Sequence, residues 1–212
     1  MLKIDFHAHS KYSVDSKSEI TDIIKSARAK GLDGIVLLEH NNIAPMNEVR
    51  AKAGNFFIIF GEEISSSDGH IGAIGIKKPI PAGLSAKESV QLVHQQGGIA
   101  FATHPFSFRV PAVRFKYKSI PFDLMETQNA SHWFSTKLSR LLIGNGLGGA
   151  DAHLPEEVGT SYTLVDAQPN EASVIAALRS GKFRPVSNSG FFNYLSRFFK
   201  RRQKRAARPN KF

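Results

Sequence analysis

The sequence predicts an α/β fold in which strand–helix units surround a largely parallel sheet or barrel. Short apolar runs rich in Ile, Val and Phe alternate with helix-like stretches along most of the 212-residue chain, as they do in parallel α/β folds. Histidine and carboxylate residues follow most of these runs. A chain of this length can bury one core. We therefore predict one α/β domain, residues 1–188, followed by a basic C-terminal segment, residues 189–212.

Eight apolar runs are the strand candidates. They lie at residues 2–6, 34–38, 56–60, 70–76, 99–102, 122–125, 147–150 and 162–165. The first run leads into His7-Ala8-His9. Residues i and i+2 of a strand point to the same face, so these two imidazoles can bind one metal ion. The pair alone is equally typical of a solvated strand end.

Four helices follow from capping patterns and apolar stripes. Ser16 and Glu19 have the spacing of a capping box, and Ser85 and Glu88 repeat it. An apolar stripe at helical spacing follows each pair. The other two predicted helices are residues 135–143 and 170–180.

Composition excludes two kinds of site and suggests a compartment. The chain contains no cysteine, so it has neither thiolate metal ligands nor a disulfide-linked partner. Met1 leads directly into the first apolar run, and no window of sequence has the length and apolarity of a transmembrane helix. We expect a cytoplasmic protein.

The net charge of +10 belongs to the C-terminal end. Residues 172–212 contain eleven Lys and Arg side chains and no Asp or Glu, which leaves 17 basic and 18 acidic residues in the rest of the chain. The predicted barrel is therefore nearly neutral, which argues against a general nucleic-acid-binding surface on it.

Metal-ligating residue types recur at the ends of the apolar runs. In a parallel barrel the carboxyl ends of the strands share one face, so most of these side chains can reach a common cleft. They are His7, His9, Glu39, His40, Glu62, Glu63, His70, His104, Glu126, Asn129, Asp151 and His153. His94 falls inside a predicted helix and is expected at the surface or in packing, while His132 is at most a substrate-side contact.

The ordered motifs resemble the polymerase and histidinol phosphatase (PHP) family of metal-dependent phosphoesterases over residues 1–185. The first motif is Asp5-Phe6-His7-Ala8-His9-Ser10 with Asp15, and the second ends in Leu38-Glu39-His40-Asn41. The later motifs are Gly61-Glu62-Glu63-Ile64-Ser65, Gly69-His70-Ile71, Thr103-His104-Pro105-Phe106 and Gly149-Ala150-Asp151-Ala152-His153.

The resemblance implies a distorted, TIM-like (β/α)7 barrel that carries a cluster of two or three divalent metal ions. Zn, Mn and Fe all suit a mixed set of imidazoles and carboxylates. The implied ligands of the first ion are His7, His9, Glu63 and Asp151. Glu63 also bridges to a second ion with His70 and His104, and the third ion is held by Asp15, His40 and His153. Glu39 and Glu126 are expected to orient these ligands from behind.

The sequence departs from the family pattern in three places. Glu39 stands where the family usually has Asp, which puts the orientation of His40 and the third ion in doubt. Ser16 replaces the usual Gly after Asp15. The chain also lacks the insertion that some relatives carry between the fourth and fifth strands, so we expect an open cleft.

The predicted activity is hydrolysis of a phosphoester by a metal-bridging hydroxide. Glu63, Asp151 and His153 are the predicted catalytic residues. The general acid for the leaving group is left open among His153, His132 and a metal-bound water. The substrate is expected to be a small phosphorylated molecule, such as a nucleotide.

A basic loop follows the fifth predicted strand. Its residues Arg109, Arg114 and Lys116 alternate with aromatic side chains. Arg and Lys suit a phosphate and aromatic faces suit a nucleobase, so we predict that these three residues bind substrate. A solvated basic loop is an equally good interpretation.

The C-terminal segment has its own pattern. Phe191, Tyr194, Leu195, Phe198 and Phe199 form one stripe at helical spacing, with basic residues on the other faces. Three partners are consistent with such a helix: the barrel, an anionic membrane surface that would make the protein peripheral, and nucleic acid.

Two other functions compete with a small-molecule phosphatase or phosphodiesterase. The basic tail favours a nuclease or exonuclease on short DNA or RNA. A non-catalytic metal-binding PHP subunit is the other alternative, but all nine implied ligand positions carry residues able to bind metal.

Overall fold

The computed structural model describes residues 1–187. The nine strands of this part are β1 Leu2–Ala8, β2 Gly34–His40, β3 Phe57–Ser66, β4 Gly69–Ile74, β5 Ile99–Ala102, β6 Leu124–Asn129, β7 Leu147–Gly149, β8 Ser161–Val165 and β9 Phe183–Ser187. The α-helices are α1 Ile20–Ala29, α2 Met46–Ala53, α3 Ala86–Gln95, α4 Trp133–Leu142 and α5 Glu171–Arg179. The predicted C-terminal helix and the domain boundary at residue 188 lie outside the described residues.

The strands form one nearly closed, barrel-shaped sheet, which confirms the predicted α/β barrel. Their order is β7-β6-β5-β4-β3-β2-β1-β8-β9. A parallel bridge between Ala8 and Ala152 links the end of β1 to the segment after β7. The sheet is mixed, whereas the sequence pattern suggested a largely parallel one, because β4 runs antiparallel to both β3 and β5 and β8 runs antiparallel to both β1 and β9.

The apolar core lies inside the sheet and beneath the helices on its outer side. Phe6 and Phe101 are among the largest fully buried side chains, and they belong to a cluster that includes Leu178 of α5. Separate buried clusters lie beneath α1 and α2 and beneath α3. Burial of these aliphatic and aromatic groups stabilises the scaffold that holds the polar strand ends.

One of the two predicted capping boxes is present and the other is not. Ser85 accepts a hydrogen bond from the backbone N–H of Glu88, and the Glu88 carboxylate accepts one from the backbone N–H of Ser85. At α1 the N-cap is Glu19, which makes no side-chain capping bond. The Ser16 hydroxyl instead donates to the carbonyl oxygens of His9 and His153, so it ties together two chain segments of the site.

The sequence did not predict α2 or β9. Only Val49 and Ala53 of α2 are buried, so its apolar pattern is weak. β9 is a half-buried strand of Phe-Arg-Pro-Val-Ser that pairs with β8. Its pattern is interrupted by Pro185, which lowers a strand signal because proline cannot donate a backbone hydrogen bond.

Candidate metal centre

The nine implied ligand positions converge at one end of the barrel. β1, β2, β3, β5 and β7 bring their carboxyl ends, or the residues just after them, to this end. β4 runs the opposite way, so its second residue, His70, lies there too and pairs with Ser65 near the end of β3. Side chains from six segments of the chain therefore surround one pocket, which is lined by Asp15, His40, Glu63, His70, His104, Asp151 and His153.

The first donor group consists of His7, His9, Glu63 and Asp151. Glu63 Oε2 lies 3.4 Å from the Nε2 atoms of both His7 and His9. Asp151 Oδ1 lies 3.7 Å from His7 Nε2 and 3.6 Å from His9 Nε2. Two ring nitrogens and two carboxylate oxygens thus face one another in a fully buried space, which is the donor set that a divalent transition metal prefers.

Glu63 joins this group to a second one through its other oxygen. Glu63 Oε1 lies 3.1 Å from His104 Nε2 and 3.4 Å from His70 Nδ1, and it accepts a 2.8 Å hydrogen bond from the Thr103 hydroxyl. The two carboxylate oxygens of Glu63 therefore face different imidazoles. This is the geometry expected of a carboxylate that bridges two cations.

The third donor group lies beside the first, nearer to solvent. Asp15 Oδ2 lies 2.8 Å from His153 Nε2 and 3.5 Å from His40 Nε2. Donor atoms of His9, Asp15, His40 and His153 all lie within 4.8 Å of one another. The other oxygen of Asp15 is buried without a hydrogen-bond partner, as expected of a group suited to a cation.

The buried charges set the protonation of these side chains. Burial opposes ionisation of the Glu63 and Asp151 carboxyls, but the surrounding imidazoles outweigh it and hold both pKa values well below their usual range. Burial lowers the pKa of His9 to about 3, and the nearby His153 adds to the effect. For His7, burial is outweighed by the carboxylates of Glu63, Glu126 and Asp151, so its pKa is raised. Ionised carboxylates and a neutral His9 are the forms that bind metals.

Glu126 supports two of the donor groups from behind. Its Oε1 lies 3.0 Å from His7 Nδ1, and its Oε2 accepts hydrogen bonds from the backbone N–H of His104 at 2.7 Å and from the Asn129 amide at 2.8 Å. A carboxylate on the far nitrogen of a ligating imidazole fixes its tautomer and orientation. The predicted supporting role of Glu126 is consistent with this position.

Glu39 was expected to orient His40, but its carboxylate contacts Ser10. It accepts hydrogen bonds from the backbone N–H and the hydroxyl of Ser10, just after the two histidines of β1. The His40 backbone N–H instead donates to the Ser13 hydroxyl at 3.0 Å. Glu39 therefore fixes the chain after His9, while His40 Nε2 lies 3.5 Å from Asp15 Oδ2.

Asp5 also supports the site, although no prediction was made for it. It is fully buried and accepts backbone hydrogen bonds from His7, Ala150 and Gly159. Burial raises the pKa of its carboxyl to about 7. The bonds from Ala150 and Gly159 join β1 to the segments on either side of Asp151, so Asp5 holds the first histidine motif against the last motif.

His132, predicted to be at most a substrate-side contact and a candidate general acid, lies among the candidate ligands. Its Nε2 lies 3.0 Å from Asp151 Oδ2, its Nδ1 lies 3.0 Å from the Ser107 hydroxyl, and its ring centroid is 4.7 Å from that of His104. Its position just after β6 is the only signal that pointed to it. His94, by contrast, pairs with Asp123 at 2.8 Å on the outside of the barrel.

Two of the candidate ligands occupy unusual backbone conformations. The φ angles of His104 and Asp151 are 30° and 52°, values that residues with a β-carbon seldom adopt. Such strain is retained where surrounding contacts require it, and it clusters at functional sites. Both residues contact the buried cluster through their side chains.

The three predicted substrate residues are in different surroundings. Arg109 lines the same pocket as the candidate ligands. The Arg114 guanidinium lies 5.8 Å from the centre of the Phe108 ring, and Lys116 pairs with Asp68 at 2.7 Å. Of the three residues, Arg109 is therefore the one that lies beside the candidate metal ligands. Phe108, Trp133 and Phe134 line a smaller hollow that shares Arg109 and His132 with this pocket.

A barrel with buried histidines and carboxylates gathered at one end of its strands defines a class of proteins suited to binding divalent metal ions. Comparison with known proteins specifies this class. The family model described as PHP-associated matches residues 134–183. The protein MJ1587 of Methanocaldococcus jannaschii, which is uncharacterized, is 32% identical over 143 residues, which are 62% of this chain and 84% of that protein. The chain belongs to the PHP superfamily.

Three solved structures share the fold at low sequence identity. PsfC from Pseudomonas syringae has a TM-score of 0.71 at 13% identity, and the match covers 96% of this chain and 98% of the PsfC chain. An amidohydrolase from Chromobacterium violaceum with bound sulfate has a TM-score of 0.59 at 18% identity, over 74% and 89% of the two chains. A candidate metal-dependent phosphoesterase from Bifidobacterium adolescentis has a TM-score of 0.59 at 14% identity, over 82% and 95%.

Among residues 1–187, no helix has both the length and the apolarity to cross a membrane.

Proposed function

We propose that the protein is a metal-dependent hydrolase that cleaves phosphoesters. The observation that carries this proposal is the placement of Glu63, whose two oxygens face two different sets of imidazoles at 3.1–3.4 Å. Divalent ions held there would supply a water of lowered pKa and positive charge for the oxygens of a phosphoryl group. Similarity to a candidate metal-dependent phosphoesterase supports the same reaction class.

The ligand assignment follows the three donor groups. His7, His9, Glu63 and Asp151 would hold one ion, and Glu63 would share a second ion with His70 and His104. The third group, Asp15, His40 and His153, lies at the mouth of the pocket. Each candidate ligand lies within reach of its assigned group, which supports an active centre over a degenerate, non-catalytic one.

A nucleotide is the substrate that the surroundings of the pocket favour. Arg109 lines the pocket and also the adjoining hollow, whose walls are Phe108, Trp133 and Phe134. A phosphate at the metal centre would place Arg109 near its oxygens, and a base could stack in the aromatic hollow. Short single-stranded DNA or RNA is the second candidate, because stacking in this hollow would serve a terminal nucleotide equally well.

The test combines metal analysis with a substrate panel. Purified protein refilled with Mn or Zn is assayed by elemental analysis for bound metal. It is then tested with nucleoside monophosphates, bisphosphates, short oligonucleotides and amide substrates. We expect at least two ions per chain and release of phosphate or of a phosphomonoester.

Two variants sharpen the result. Glu63→Gln removes the proposed bridge and should lower both metal content and turnover. His94→Gln changes a histidine that pairs with Asp123 outside the site, and it should change neither. Full metal occupancy without cleavage of any phosphoester, or cleavage of amides alone, would contradict the proposal.

A further inference from the structure

Helix α4 buries polar side chains and exposes apolar ones, the opposite of an ordinary outer helix of a barrel. The two residues that it buries are Ser135 and Ser139, and the Ser139 hydroxyl has no hydrogen-bond partner. Phe134, Leu141 and Leu142 are exposed, at 57%, 80% and 45%. An outer helix normally turns its apolar stripe toward the core. In α4 these apolar side chains instead face away from the barrel.

The loop between β5 and β6 extends the exposed apolar surface. Phe108 and Phe115 are 71% and 65% exposed. Phe108 lines one hollow with Phe134, and the backbone N–H of Phe106 donates to the Ser135 hydroxyl at 3.1 Å, which holds the loop against α4. Of the seven large exposed apolar side chains in the described residues, five lie in this loop and helix. An apolar concentration of this kind marks an interaction surface.

The charge of the same surface is uniformly positive. Residues 106–122 and 127–150 contain no Asp or Glu but six Lys and Arg side chains. Lys137 and Arg140 lie on α4 among the exposed apolar residues, and Arg114 lies over the Phe108 ring. Lys116 pairs with Asp68 at 2.7 Å. We call the exposed apolar and basic residues of this loop and helix the basic apolar surface.

We infer that the basic apolar surface binds the face of a membrane that contains anionic lipids. Aromatic and leucine side chains beside lysine and arginine are the combination that inserts into the boundary between headgroups and acyl chains while contacting lipid phosphates. This inference does not depend on the proposed catalytic activity, because neither α4 beyond its first turn nor Phe115 lines the metal pocket.

Other partners fit the same surface less well. A second copy of the chain would bring two positive surfaces together, and the C-terminal segment of the chain itself is also basic, with no acidic residue in 172–212. Like charges oppose both contacts. Nucleic acid would satisfy the charge, and Phe108 and Phe134 could each stack a base, but it would leave the aliphatic side chains of Leu141 and Leu142, 80% and 45% exposed, without an apolar partner.

The experiment is vesicle flotation of the full-length chain. Vesicles of phosphatidylcholine alone are compared with vesicles that contain phosphatidylglycerol. We expect binding to the anionic vesicles that weakens as salt is raised. Leu141→Ser with Leu142→Ser, and separately Lys137→Glu with Arg140→Glu, should each lower the partition coefficient about tenfold.

The control has the same change of charge elsewhere. Lys25 on α1 and Lys87 on α3 are exposed, so Lys25→Glu with Lys87→Glu repeats the charge change away from the basic apolar surface and should retain binding. Metal content and the thermal melting temperature should match the parent in every variant, which shows that the fold is intact. The basic C-terminal segment is present throughout and cannot account for a difference between variants.

Three outcomes would overturn the inference. One is that the variants bind anionic vesicles as the parent does. Another is that the Lys25 and Lys87 control loses as much binding as the α4 variants, which would indicate net charge alone. The third is that the α4 variants leave vesicle binding unchanged but weaken either the binding of a labelled single-stranded oligonucleotide or the formation of a dimer, measured as molecular mass in solution.

Discussion

The replacement Glu126→Gln tests how the buried support of the metal centre works. The glutamine oxygen can take the place of Glu126 Oε2, which accepts hydrogen bonds from the His104 N–H at 2.7 Å and the Asn129 amide at 2.8 Å. The glutamine NH2 group then occupies the place of Oε1, 3.0 Å from His7 Nδ1. An amide nitrogen can only donate, so His7 Nδ1 must become the acceptor and the ring proton must move to Nε2.

This change of tautomer removes the lone pair that faces the donor group. His7 Nε2 lies 3.4 Å from Glu63 Oε2 and 3.7 Å from Asp151 Oδ1, and a proton on it prevents coordination. Loss of a carboxylate behind a ligating histidine costs about 10–100-fold in metal affinity. That range corresponds to about 1.4–2.8 kcal/mol, similar to one hydrogen bond to a charged group.

The assay is titration of metal-free protein with Zn or Mn by calorimetry, together with elemental analysis after dialysis. The matched control is Asp123→Asn, which makes the same change in a carboxylate that contacts a histidine, His94, at 2.8 Å on the outside of the barrel. We expect weaker binding for Glu126→Gln and parental binding for the control. Equal metal affinity in Glu126→Gln and the parent would refute the tautomer argument.

Three further predictions concern substrate, packing and capping. Arg109→Ala should raise KM much more than it lowers kcat, because Arg109 lines the pocket, whereas Lys116→Ala should change neither constant; equal effects of both would contradict the assignment. Gly72→Ala should destabilise the fold by about 1–3 kcal/mol in urea unfolding, since an added Cβ would lie 2.3 Å from the Phe101 ring, and an unchanged midpoint would show that the ring can move. Ser85→Ala should cost about 1 kcal/mol through loss of the cap on α3, measured in the same way, unless Glu88 alone maintains it.

Most of the candidate metal ligands could be found from the sequence because they follow short apolar runs that predict strands. The order of motifs from His7 to His153 then assigned the residues to groups, and the structure brings these residues together. The sequence predicted His132 only as a substrate-side contact or a candidate general acid. Its role depends on a loop that turns back so that Ser107 and Asp151 both reach its ring, and contacts between distant segments leave no periodic signal in sequence.

The capping signals illustrate a second limit. Ser16 and Ser85 have the same spacing to a glutamate, but only Ser85 caps a helix. The Ser16 hydroxyl donates to the carbonyl oxygens of His9 and His153, which the fold brings within 3.3 Å and 3.1 Å, and it accepts from the backbone N–H of Ser18 instead of from Glu19. Local propensity therefore decided one helix start, while tertiary contacts decided the other.

The reversed strand β4 explains why the sheet is mixed. His70 is the second residue of a six-residue strand, and each residue of a strand advances about 3.3 Å. In a parallel strand, His70 would lie roughly 10 Å farther from the end of the barrel where the candidate ligands gather. The hairpin between β3 and β4 instead sets His70 opposite Ser65 and 3.4 Å from Glu63 Oε1. The turn depends on Gly69, whose φ of +138° is seldom adopted by other residues. The antiparallel hairpin is therefore what supplies the second donor group with one of its two imidazoles.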